Sequence, residues 1–152
     1  MRTSKMRKST PKKRRPRSRV TVQIAVAGAP PAATLRRFAR AVSRAAIALR
    51  VVGATEGKLL NGTFRKKRYP TNVLSFSYGG GNGDVVLCHP VIAREARQQG
   101  KSLRAHYAHL VVHGILHLRG HDHLRKSDAL RMERAEIRIL RRLGVDNPYT
   151  LK

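Results

Sequence analysis

Two histidines four residues apart, then a glycine and a further histidine, constrain this chain more tightly than any other feature. The segment reads His113-Gly114-Ile115-Leu116-His117-Leu118-Arg119-Gly120-His121-Asp122-His123. His113 and His117 act together only on a helix, where they stand one turn apart on one face, about 6 Å along the axis. Gly120 is placed to end that helix, since glycine takes the left-handed conformation of a C-terminal cap at little cost. Beyond the turn, His123 can swing back as a third imidazole. Three imidazoles suit zinc and leave a fourth tetrahedral position for water, the arrangement of a catalytic rather than a structural site. Nickel or cobalt can load the same donors.

A glycine seven residues and a histidine ten residues after the first ligand is a spacing shared with one class of zinc proteases. Those enzymes carry a glutamate directly after the first histidine as general base. Gly114 stands there in this chain. The sequence therefore keeps the grip on the ion and lacks the base for peptide hydrolysis. His121 lies four residues beyond His117, but the break at Gly120 favours His123. His109 lies one turn before His113 and reads more as a core histidine than as support for the ligands. His106 and His89 carry no clear signal, and Asp122 is equally suited to orienting a ligand or capping the turn.

Around this segment the pattern is α+β. Val20, Val22, Ile24 and Val26 alternate with Thr21, Gln23 and Ala25 as in a strand. Leu35, Phe38, Val42, Ala45, Ala46 and Leu49 recur at helical spacing, with Thr34 placed as a cap. A short strand is expected around 49–52 and a short helix over 58–64. A hairpin is expected from 73–76 through the glycine-rich 79–83 to Val85, Val86 and Leu87. Helices are expected over 92–99, Leu103–Leu118 and 127–143, with Gly100, Gly120 and Gly144 after them. The fold class is a small mixed β-sheet with surrounding helices, the metal site lying on a long helix and the turn after it.

The 152 residues carry 33 Lys and Arg against 8 Asp and Glu, a formal net charge of +25. Such a surface calls for a polyanion, and a phosphate backbone is the fitting one. An anionic membrane surface would want an amphipathic basic helix with large aromatics on its apolar face, and tryptophan is absent. No run approaches the ~20 apolar residues of a membrane span. Residues 1–19 hold ten basic residues, no acid and two prolines, without apolar periodicity. They read as a disordered basic tail ahead of a single domain over 20–152. An Arg-rich, acid-free start also has the composition of a mitochondrial transit peptide, but the prolines and the missing apolar face favour a cytoplasmic protein. The lone Cys88 permits no internal disulfide, in keeping with a reducing compartment.

The metal segment resembles the signature of the YbeY family of endoribonucleases, His-Gly-x-Leu-His-Leu-x-Gly-Tyr-Asp-His, with His121 in place of the tyrosine. A second block, from Leu60-Asn61 through Phe64-Arg65 to Pro70-Thr71-Asn72-Val73-Leu74-Ser75-Phe76, is similar to that family's Leu-Asn-x-x-Tyr-Arg-x-x-Asp-x-Pro-Thr-Asp/Asn-Val-Leu-Ser-Phe, with Arg68 where an aspartate is usual. Gly83-Asp84, Glu95-Ala96, the 105–109 segment, Met132-Glu133 and Glu136 fit the remaining pattern. The resemblance spans roughly 20–150. It implies one Zn2+ held by His113, His117 and His123, and a functional arginine at Arg65. By its neighbours alone, Lys66, Lys67 and Arg68, that arginine would read as a solvated one. It further implies cleavage of single-stranded RNA in ribosomal RNA processing, notably at the 3′ end of the small-subunit RNA, and in ribosome quality control. The partners would be ribosomal RNA and the small ribosomal subunit, with no membrane. The competing expectation is a non-catalytic ribosome assembly factor whose zinc is structural.

Overall fold

The computed structural model describes residues 19–65, 71–121 and 125–150, without the side chains of 63–65. The tail expected over 1–19 lies, but for Arg19, outside them. The elements run β1 (Val20–Ile24), α1 (Ala32–Arg40), β2 (Ile47–Val52), α2 (Ala54–Arg65), β3 (Val73–Gly79), β4 (Asn82–Cys88), α3 (His89–Gln99), α4 (Leu103–Leu118) and α5 (Lys126–Arg142).

One sheet holds all four strands in the order β1-β2-β4-β3. β1 pairs parallel with β2, and β2 parallel with β4, while β3 closes an antiparallel hairpin on β4. The expected small mixed sheet with surrounding helices is therefore the observed fold. β2 and β4 are central and nearly continuous in apolar residues, as strands covered on both faces must be. Ile47, Leu49, Val51, Val85 and Leu87 face the main core. Val52, Leu74 and Val86 face the other way, where Leu60 of α2 packs on them with Phe76.

Helix α4 runs through the main core. Tyr107, Ala108, Val111, Val112, Ile115 and Leu116 are all buried, so the helix is apolar almost all round, the mark of a helix enclosed by neighbours. α1 packs on it through Leu35 and Phe38. α5 covers its outer side with Met132, Ile139 and Leu140. Burying such side chains stabilises by about 1.5–3 kcal/mol each. Ser102 caps the start of α4, its Oγ accepting from the Ala105 amide at 3.0 Å.

The contact between α4 and the sheet is closest at two glycines. A Cβ on Gly114 would lie 2.9 Å from Val85 Cγ1, 3.1 Å from Ser75 Oγ and 3.3 Å from Val73 Cγ2. Ser75 Oγ donates to the Gly114 carbonyl at 3.0 Å and pins the helix there. One turn on, a Cβ on Gly83 would meet Leu118 Cδ2 at 2.7 Å and the Phe76 carbonyl oxygen at 2.3 Å. The helix thus lies antiparallel to β4, with its C-terminal end over the β3–β4 turn.

Several expected boundaries moved, among them the start of α2, which lies at Ala54 rather than 58. The helical period that starts at Leu35 continues through Val42, Ala46 and Leu49 in the sequence, but the helix ends at Arg40 and Leu49 belongs to β2. The periodicity is shared between two elements, because Val42, Ile47 and Leu49 reach the same core from a turn and a strand. The start of α1 carries no side-chain cap: Pro31 occupies the cap position, not Thr34. α3 begins at His89, earlier than expected, with proline in its first turn, where a missing N–H costs nothing.

Candidate metal centre

His113 and His117 lie on the last two turns of α4, on its side toward α5. Their Nε2 atoms approach to 3.2 Å with the rings steeply inclined at 78°. Two nitrogens each about 2.0–2.1 Å from one tetrahedral ion stand about 3.3 Å apart, so the pair has the spacing of two ligands of a single metal.

Behind His113 stands Glu136 of α5. His113 Nδ1 donates to Glu136 Oε2 in a short hydrogen bond. That donation fixes the tautomer and leaves the lone pair on Nε2, the atom facing His117. Glu136 is fully buried. Its other oxygen accepts from the Tyr149 hydroxyl and, at 3.4 Å, from His109 Nε2. Burial alone would raise the Glu136 carboxyl. The hydrogen bonds from His109, His113 and Tyr149 outweigh it and hold the group down at about 2, so it is an anion under all ordinary conditions. Tyr149 responds in the opposite sense: burial and its bond to Glu136 raise its phenol.

His109, His113 and Glu136 also bring ligand atoms within 4.8 Å of one another, a set that can hold a metal ion. The two possible donor sets share His113 and use its opposite nitrogens. On the Nδ1 side the carboxylate already accepts from three donors and has no exposed surface. On the Nε2 side the imidazoles are half-buried and reach the protein surface. That second side is the one open to solvent.

The turn after α4 is built from Gly120, whose φ of 97° is left-handed. The Gly120 amide donates to the His117 carbonyl at 3.0 Å and the His121 amide to the Leu116 carbonyl at 3.0 Å, the double closure that ends a helix at a glycine. The chain therefore leaves the helix axis at His121. His123 itself, with Asp122, lies outside the described residues. Arg65 closes α2, and its side chain is not among those described.

Sequence reasoning missed the carboxylate. Glu136 had been read only as part of a helix pattern, and His109 as a core histidine, whereas the two share one hydrogen-bonded cluster. The signal available was an acid on the amphipathic face of the last helix, in register with Met132, Ile139 and Leu140. A second buried network lies beyond the site. His106 Nε2 donates to Glu95 Oε1 at 2.9 Å, and Asn72 Nδ2 donates to the same oxygen at 3.1 Å, tying β3, α3 and α4 together.

The fold and this cluster define an α+β protein with a candidate metal centre at the end of its central helix. Comparison with known proteins then places it. The sequence model described as Endoribonuclease YbeY matches residues 30–144, and the chain belongs to the YbeY family. A relative named Endoribonuclease YbeY from Aromatoleum aromaticum is 49% identical over 140 residues, covering 86% of this chain and 91% of the relative. One of the same name from Thiobacillus denitrificans is 47% identical over 144 residues, covering 88% and 97%. A solution structure from Thermotoga maritima shares the fold, with a TM-score of 0.51 at 22% identity over 86% of this chain and 99% of that one. Among the described residues no helix is long and apolar enough to cross a membrane.

Proposed function

We propose that this chain is a metal-dependent, single-strand-specific endoribonuclease of the cytoplasm. It acts in ribosomal RNA processing at the 3′ end of the small-subunit RNA and in ribosome quality control. Family membership supports the RNA-cleaving activity, since relatives at about half identity carry that name. The observation that carries the metal dependence is the 3.2 Å approach of His113 Nε2 and His117 Nε2, with Glu136 bound behind His113.

His113, His117 and His123 would hold one Zn2+. The ion would supply positive charge beside the scissile phosphate and acidify a water there. Glu136 does the positioning: its fixed negative charge holds the His113 ring in one orientation and makes Nε2 a better donor. Arg65 would offer its planar fork of N–H groups to the phosphate as charge builds on it. Peptide hydrolysis is not supported, because Gly114 faces Val85 and Ser75 of the sheet, and no base of any size fits beside the first histidine.

The test compares wild type with His117→Ala on a single-stranded RNA carrying the small-subunit 3′ precursor, with metal content measured on the same samples. Cleavage by wild type alone, with metal lost from the variant, is the expected result. If neither protein cuts and both bind the RNA, the chain is an assembly factor with a structural ion.

A further inference from the structure

At the C-terminal end of α4, two cavities meet on either side of Arg119 and Gly120. The larger, of about 900 Å³, lies between the α1–β2 connection and the β3–β4 turn. Arg40, Arg44 and Arg119 line it, together with small residues and backbone. The smaller, of about 310 Å³, continues past Gly120 to His121 and the first turns of α5 at Asp128 and Arg131. The two share Arg119 and Gly120, just beyond the last turn of α4 that carries His117, so they form one groove around the C-terminal end of that helix.

The chemistry of the groove is one-sided. Among the described residues no carboxylate lines the larger cavity. Among the described residues, Arg40, Arg44 and Arg119 have no carboxylate partner. Arg119 is held in place instead: its Nη1 donates to the Val42 carbonyl at 2.7 Å, which leaves the rest of the fork for another acceptor. Among the described residues the one acid of the smaller cavity, Asp128, faces Arg131 at 3.7 Å and is offset by it. Among the described residues no Phe, Tyr or Trp lines either cavity, and the one ring is His121 at the far end of the smaller, so stacking platforms for bases are scarce beside the guanidinium groups. A row of guanidinium groups with so little stacking surface recognises a phosphate backbone more than a sequence.

We infer that this groove carries the sugar–phosphate backbone of the RNA flanking the cleavage point, with Arg40, Arg44 and Arg119 on successive phosphates. The inference rests on the endoribonuclease reading above and adds where the strand lies. A small anion would occupy one guanidinium. The length of the groove, from the α1–β2 connection to α5, fits a strand. Phosphate contacts of this kind serve any sequence, which leaves selectivity to the histidine pair and to Arg65.

The experiment measures binding of a single-stranded RNA across a salt series for three full-length proteins. These are wild type, Arg40→Ala/Arg44→Ala, and Arg94→Ala/Arg97→Ala, which removes the same charge from α3 at the opposite end of β4. Arg40 and Arg44 are exposed and serve no internal contact, so the fold should survive their loss. The groove variant is expected to bind about tenfold more weakly at moderate salt, and its log K against log salt slope should be shallower by about 1.4, the loss of two phosphates from a single strand. The α3 variant should match wild type in cleavage, and its affinity should fall less. Equal affinity and slope in the two variants would overturn the groove. Wild type that binds RNA with the expected slope yet never cuts it would instead remove the endoribonuclease reading and leave the groove standing.

Discussion

His113 uses both of its ring nitrogens, and the carboxylate behind it determines what the front nitrogen can do. With Nδ1 bonded to Glu136, the ring is turned so that Nε2 faces the gap shared with His117. Glu136→Gln keeps size and one acceptor oxygen but removes the charge. We expect metal affinity to fall about 10–100-fold, the usual cost of losing an outer carboxylate partner, read by competition with a chromophoric chelator. An affinity within twofold of wild type would leave Glu136 as a packing residue only. This interaction was hard to see in the sequence because it joins residues 23 apart on different helices; the register of Glu136 with Met132, Ile139 and Leu140 puts it on the buried face of α5 but does not say which group it meets there. The pair His113 and His117 was legible because both sit on one helix, where spacing alone fixes proximity. His109 was misjudged for the same reason as Glu136: its partners, Glu136 and Tyr149, come from the far end of the chain.

Helix α4 owes its position to what it lacks. Gly114 lets the helix backbone settle on β3 and β4, and the same absence of a side chain was visible in the sequence as a missing general base. The structure supplies the physical reason: the position faces the sheet, 2.9 Å from a Val85 methyl even for a bare Cβ. Gly114→Ala should destabilise the fold by about 1–3 kcal/mol, the cost of overpacking a filled core. It should also lower metal content, since His113 is the adjacent residue. Urea unfolding with metal analysis on the same samples checks both. Unchanged stability would mean that the Val85 and Val73 side chains yield freely. Helix ends were read well wherever a glycine closed them, at Gly100, Gly120 and Gly144, because a left-handed residue there is a local requirement. The end of α1 has no such signal. Ala41 stays right-handed, and the apolar spacing runs on into β2 without interruption.

At the scale of the whole molecule, several of the described acids are held by partners within the chain. Glu136 holds imidazoles and a phenol, Glu95 holds His106 and Asn72, and Glu56 and Asp128 pair with Arg50 and Arg131. The 33 Lys and Arg far outnumber the 8 acids that could pair with them, and the formal charge of +25 calls for a polyanion. The apolar core lies apart from the candidate metal centre. It runs unbroken from Leu35 and Phe38 through Leu49, Val85 and Ile115 to Leu140, while His113 and His117 stand half-buried at its rim. A domain of this size with such a core folds without an ion. Chelation should then abolish RNA cleavage while far-UV circular dichroism and a cooperative thermal transition persist. The transition should move down only by the binding energy lost, about 2.7–4.1 kcal/mol for an ion present at 100 to 1,000 times its Kd, and should return with added Zn2+. Loss of the cooperative transition on chelation would show that the ion holds the fold together. In that case the last turn of α4 would be a structural clamp, and RNA binding rather than cleavage would be what the basic surface serves.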